Sequence, residues 1–149
     1  MDQCPRWPVQ LMPDLQPEGA VVRFDGADRR LLWDYGVIER VQEIYGGHPF
    51  LALQGMFWSS KLPGGEEISH YQARPIIDLM FILLNNEVER EKYFIGKSQL
   101  KTYTRAQIGY LINRNNVDDI VKGLMDSWKK SIMEADDEED EKNAIREAP

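Results

Sequence analysis

Cysteine occurs once in the 149 residues, at Cys4. One thiol cannot form an intrachain disulfide or a thiolate metal cluster, which fits a reducing compartment. Histidine occurs twice, at His48 and His70, 22 residues apart, a separation that matches no common metal-ligand spacing. Each histidine falls in or beside an expected loop, where it reads as a solvated or capping residue rather than a catalyst. Long apolar runs are also missing. The longest, Leu79 to Leu84, is far short of the ~18 residues a membrane helix needs. The first eight residues lack the basic start and apolar run of a signal peptide. A basic stripe of the kind that grips nucleic acid is absent too.

Catalytic patterns are equally scarce. Gly64-Gly65 has neither the lysine nor the strand-to-helix context of a phosphate loop. Gly46-Gly47 follows a helix, whose C-terminal end repels phosphate. No cofactor or metal site is expected, and the reading is that of a non-enzyme.

Hydrophobic residues make up 42% of the chain, with four tryptophans, so it can build a core at single-domain size. The net charge of −7 is unevenly placed. Residues 134–149 hold eight acids and two bases, or −6, so residues 1–133 carry only −1. The run Asp136, Asp137, Glu138, Glu139, Asp140 and Glu141 repels itself and buries nothing, which predicts a disordered acidic tail. It lacks the alternating ligands and central glycine of a calcium loop. It reads as a solvated tail, with a basic partner surface as the alternative.

Three parts follow. Residues 1–19 form an arm with Pro5, Pro8, Pro13 and Pro17, biased toward extended geometry. Its apolar residues Trp7, Val9, Leu11, Met12 and Leu15 either pack back on the domain or meet a partner. Residues 20–133 form the folded domain, and residues 134–149 the tail. The expected fold class is mainly α with a small N-terminal β-hairpin, an α+β arrangement.

The hairpin joins Ala20–Phe24 to 29–33 around Asp25-Gly26-Ala27-Asp28, because Asp-Gly is a strong turn signal. A helix over 35–45 follows, capped by Asp34, with Val37, Ile38, Val41, Ile44 and Tyr45 on one face. Gly46-Gly47 stops it. A short helix after Pro49 is compatible with His48 to Trp58, and Ser59 to Ser69 reads as a polar loop turning at Pro63-Gly64-Gly65. A central helix starts near Arg74 with Pro75 in its first turn. Residues 94–103 read as a connection. Thr104 and Gln107 form a capping box for a helix ending near Asn113. Asn116 is the expected cap of the last helix, which has Val117, Ile120, Val121, Leu124 and Trp128 on its core face.

Phe57, Trp58 and Phe94 have no obvious place in so small a core, so they are the candidate partner-binding residues, together with the acids 136–141. Trp58 stands out because it borders the polar stretch at Ser59. Their exposure also predicts self-association.

The order of elements carries a resemblance. A hairpin with Phe24-Asp25-Gly26 opens into Trp33-Asp34-Tyr35. The helix then runs through Val37-Ile38-Glu39-Arg40 to Glu43-Ile44-Tyr45-Gly46-Gly47. Later come Tyr103-Thr104-Arg105-Ala106-Gln107-Ile108-Gly109-Tyr110-Leu111-Ile112, an amphipathic helix and an acidic end. Over about residues 20–141 this resembles the tail assembly chaperones of long-tailed bacteriophages and prophages. The proline-rich arm and the stretch from Ser59 to Ser69 depart from that pattern. The resemblance implies a protein of the host bacterial cytoplasm, active in viral tail morphogenesis but not retained in the virion. Its implied partners are the tape measure protein and the tail tube protein. Many phages also make a longer, frameshifted form, of which this chain resembles the short counterpart. Helical grooves would receive apolar partner helices, while the tail keeps the complex dissolved. Two other readings are a structural virion protein, such as a tail completion factor, and an acidic DNA-mimic inhibitor. A mimic spreads its carboxylates over the folded surface, whereas the folded part here is close to neutral.

Overall fold

The computed structural model describes residues 19–133. All but the last residue of the proline-rich arm, and the acidic tail with Asp136, Asp137, Glu138, Glu139, Asp140 and Glu141, lie outside the described residues. The described part is mainly helical and carries two small antiparallel hairpins.

The first hairpin pairs β1 (Ala20–Phe24) with β2 (Ala27–Leu31). Its turn has two residues rather than the four expected. Asp25 and Gly26 both take positive φ, 53° and 77°. Two left-handed residues match the twist of the strands, so Ala27 and Asp28 join the ladder. Ala20, Val22 and Phe24 face inward on β1, and Arg29 and Leu31 do so on β2. Leu32 and Trp33, expected in the strand, lie just beyond it and are buried.

Helix α1 (Tyr35–Tyr45) has the expected bounds. The Asp34 carboxylate accepts the Val37 N–H at 2.9 Å, satisfying an orphan donor of the first turn. Val37 and Val41 are buried, whereas Ile44, expected on the same face, is half exposed. After Gly46-Gly47 comes α2 (Phe50–Gln54), whose Phe50 N–H is received by His48 Nδ1 at 3.1 Å. His48 is therefore a capping residue.

The polar stretch from Ser59 to Ser69 is not a loop. It is a second hairpin, β3 (Phe57–Lys61) and β4 (Glu67–Tyr71), so Phe57 and Trp58 belong to a strand. Helix α3 (Ala73–Ile95) is one continuous rod of 23 residues, about 35 Å long. Phe94 therefore sits in its last turn, not in a connection, and Gly96 at φ 95° ends the helix. Ile76, Leu79, Met80, Ile82, Leu83, Leu84 and Val88 bury its central stretch. It packs against α1, α2, β2 and α4 (Arg105–Leu111). The Thr104–Gln107 capping box is present in both directions, at 3.1 Å and 2.9 Å.

Helix α5 (Val117–Trp128) continues into a single π turn over Lys129–Met133. Asn116 does not cap it through its side chain. Its amide closes the end of α4 instead, accepting from Asn113 N at 2.7 Å and donating to Leu111 O at 2.8 Å. Ile120, Leu124 and Trp128 are buried, and α5 lies across β1. The indole of Trp33 donates to Ser127 Oγ at 2.9 Å and meets Trp128 edge to face at 4.9 Å. No helix among the described residues is long and apolar enough to cross a membrane.

Candidate functional site

The second hairpin leaves apolar side chains and backbone groups uncovered on one ribbon. Its register is Phe57 opposite Tyr71, Trp58 opposite His70 and Ser59 opposite Ser69. Eight of its ten strand residues are exposed. Phe57 is 50% exposed and Trp58 38%, both large for aromatic residues of a small domain. The aromatic pairs brace the strands across the ladder. Phe57 meets Tyr71 at 6.0 Å between centroids, and Trp58 lies over the His70 ring at 4.2 Å.

The ladder's phase decides which backbone groups face outward. Gln72 N donates to Met56 O and Leu62 N to Glu66 O, each at 2.7 Å. Hydrogen-bonded pairs alternate in an antiparallel ribbon, so 58/70 and 60/68 bond within the hairpin. The N–H and C=O groups of Phe57, Ser59 and Lys61 then point away along one edge. Those of Glu67, Ser69 and Tyr71 point away along the other. Among the described residues no third strand covers either edge, although the His70 ring engages the Tyr71 carbonyl. A two-stranded ribbon with bare edges is marginal in water and is a template for a further strand.

The hairpin is fastened at its base. Tyr71 is partly buried against the core and its hydroxyl donates to Asp118 Oδ1 at 2.7 Å, tying β4 to the start of α5. A cleft of about 570 Å³ lies there between Phe57, Trp58, His70, Tyr71 and Asp118. His70 Nδ1 lies 3.0 Å from the Tyr71 carbonyl oxygen, a hydrogen bond that requires the proton on Nδ1. Both histidines thus have structural partners, His48 a helix N-terminus and His70 a ring and a carbonyl. Among the described residues no group of three or more His, Cys, Asp or Glu is placed to hold a metal ion.

Tyr71–Asp118 is one of three tyrosine–carboxylate bonds that tie the fold together. Tyr45 donates to Asp78 at 2.6 Å and Tyr103 to Asp25 at 3.0 Å. All three phenols are raised above their ordinary value of 10.0. Burial is the main cause at Tyr45 and Tyr103, followed by the bond to the aspartate. At Tyr71 the bond to Asp118 comes first. Raised phenols mean that the folded chain keeps protons the unfolded chain has released. Their stabilisation is intact below pH 10 and is lost as pH rises beyond it toward the folded values. Urea unfolding at about pH 8 and about pH 11 should show a marked drop in midpoint. Tyr45→Phe should reduce that drop, and an equal drop in both proteins would contradict the assignment.

The predicted site residues are not brought together. Phe57 and Trp58 stand on the hairpin that leads into the first turn of α3. Phe94, 37% exposed, lies in the last turn of that helix, some 30 Å away along its axis. The Arg90 guanidinium sits 5.2 Å over the Phe94 ring, and Tyr93 meets it edge to face at 5.0 Å. Sequence reasoning missed Ile68, His70, Tyr71 and Asp118 as members of the hairpin site. A usable signal was there: FWSSKL and EEISHY flank Pro63-Gly64-Gly65, each with an aromatic at its far end. No protein-family model, no curated protein and no solved structure matches this chain.

Proposed function

We propose that this chain is a non-catalytic binding factor of the phage tail assembly chaperone type, and that the β3–β4 hairpin is its contact with client protein. The single observation that carries the reading is the hairpin's composition: strand edges that no third described strand covers, beside exposed Phe57 and Trp58 on the same ribbon. Backbone edges bind extended segments without regard to their sequence, and flanking aromatic rings add affinity through apolar area. That combination suits a chaperone, which must hold unlike partners until they assemble. The clients would be the tape measure protein and the tail tube subunit, met in the cytoplasm of the infected bacterium. The element order from Phe24-Asp25-Gly26 to the Thr104 capping box supports the same family, as does the acidic run from 136 to 141.

Co-expression with a phage tape measure protein tests this. The long partner should stay in the soluble fraction with the wild-type chain and pellet without it. Ser59→Pro removes an outward N–H at an edge position, where proline is compatible with a ribbon. Together with Trp58→Ala it should return most of the partner to the pellet while the chain itself stays folded. Equal tape measure solubility with and without the chain would sink the reading.

A further inference from the structure

The two edges of the β3–β4 ribbon are not equivalent. On β4 the outward Tyr71 carbonyl already engages the His70 ring at 3.0 Å, and the Tyr71 hydroxyl is bonded to the Asp118 carboxylate. On β3 no described residue hydrogen-bonds the outward backbone groups of Phe57, Ser59 and Lys61. β3 is therefore the edge whose outward donors and acceptors are all open, and such an edge recruits a strand.

We propose that the β3 edge pairs antiparallel with β3 of a second copy, about a two-fold axis at Ser59, joining two hairpins into one continuous sheet. In that register the strand is complementary to itself. Ser59 lies opposite its own counterpart, Trp58 opposite Ser60, and Phe57 opposite Lys61. The outward groups of 59 bond to those of 59, and those of 57 to those of 61, so none is left over. The small side chain at the axis lets the backbones close, and Ser60 leaves room for the Trp58 indole. The Lys61 ammonium comes beside the exposed Phe57 ring, a favourable pairing of cation and π face. Charge agrees as well. Lys61 is the one charged residue of β3, and Glu67 lies opposite it across its own ribbon. The two Lys61 positions of the pair stand at opposite ends, about 13 Å apart along the strands and beyond the screening length. The ribbon's acids, Glu66 and Glu67, lie on its other side, away from the second copy. Pairing β4 with itself would instead set Glu67 opposite Tyr71, beside the Asp118 carboxylate. A head-to-tail match of β3 with β4 leaves an open edge on every copy and builds a filament, whereas the β3 pair closes. The proposal rests on the reading of the hairpin as the client contact: the second copy guards the β3 edge until an extended client segment displaces it. Two five-residue strands bury less than a standard interface, so that displacement is easy.

Sedimentation of the full chain, with amide exchange measured on the same samples, tests it. The mass should rise from monomer to dimer with concentration and go no further. Where about nine-tenths of the chain is dimer, the amides of Phe57, Ser59 and Lys61 should exchange about tenfold more slowly than in the dilute monomer. Those of Glu67, Ser69 and Tyr71 should not change. Ser59→Pro removes a donor at the axis and should leave a monomer at every concentration. Ser69→Pro, the matched change on the β4 edge, should leave the dimer intact. The exchange pattern belongs to the wild-type chain, so it decides the matter whether or not a variant keeps its hairpin. A strict monomer at the highest soluble concentration would overturn the proposal. So would assemblies larger than a dimer, slowed exchange on the β4 edge, or a dimer that survives Ser59→Pro. None of these outcomes touches the client reading, which fails only where tape measure solubility does not depend on the chain.

Discussion

Gly123→Val should destabilise the folded chain by about 3 kcal/mol, because at Gly123 α5 lies against β1 with no room for a side chain. A Cβ on Gly123 would run into Cγ1 of Val22, with Leu31 Cδ1 next in line. Val22 is 6% exposed and Leu31 fully buried, so neither can retreat into solvent. Two effects oppose each other at this position. Any side chain in place of glycine gains helix propensity, up to about 1 kcal/mol for alanine. The collision outweighs it, because a strand valine has a stiff χ1 and the clashing carbon belongs to a buried side chain. Gly123→Ala should therefore destabilise too, though by less. Val22→Ala removes the colliding carbon, so the pair Val22→Ala with Gly123→Ala should be more stable than the two single losses add up to. Urea unfolding of the four proteins gives that coupling. Additive losses would mean that α5 and β1 do not meet at these residues.

Arg29→Met should cost about 3–5 kcal/mol, the usual result of removing one partner from a buried ionic group. Arg29 is an arginine on the inward face of a strand and only 2% exposed. Its guanidinium donates to Leu84 O at 3.0 Å and to Lys101 O at 2.9 Å, and its Nε faces Glu87 Oε1 at 3.4 Å. It thereby joins β2, the middle of α3 and the connection after it. The Tyr103 ring lies 5.9 Å from the same guanidinium. Without Arg29, Glu87 loses its partner and the Lys101 carbonyl loses a donor. Glu87 is already raised above its ordinary value of 4.5, chiefly by burial, and Arg29 is the largest influence holding it down. The variant should raise it further. A raised carboxyl gives stability that is present at low pH and lost as pH rises through its folded value. Arg29→Met should therefore be closer to wild type at about pH 5 than at about pH 7. Adding Glu87→Gln should remove most of that pH dependence. A variant whose loss is the same at both pH values would show that Glu87 is not the group left behind.

These two residues also mark how far the sequence could be read. An arginine in a strand and a glycine within a helix look like a surface residue and a weak point. Each is decided by what lies across from it: three acceptors from distant parts of the chain for Arg29, and a valine a hundred residues earlier for Gly123. The same holds for the hairpin site. Ser59, Ser60, Lys61, Glu66 and Glu67 show no apolar alternation, because both faces of that ribbon are wet. Periodicity reveals a strand only when one face is buried. Phe94 was misplaced by the last turn alone, because the helix runs on to its cap at Gly96 rather than stopping with its polar second half.

Elements whose cause is local were legible. The bounds of α1 follow from Asp34 at one end and Gly46 at the other, and both act within four residues of chain. The Thr104–Gln107 box acts over three residues, and the Asp25-Gly26 turn within the dipeptide itself. The core positions of α5 follow from helical spacing alone. Sequence by itself therefore determined the capped helices α1 and α4, the place of the first turn and the core face of α5. It also isolated Phe57, Trp58 and Phe94 as residues without a home. Only the tertiary structure decided that these three make two separate surfaces, that a polar stretch forms a second hairpin, and that Asn116 closes the helix before it rather than the one after. Each of these turns on a contact between residues that local spacing does not relate, and distance along the chain carries no record of distance in space.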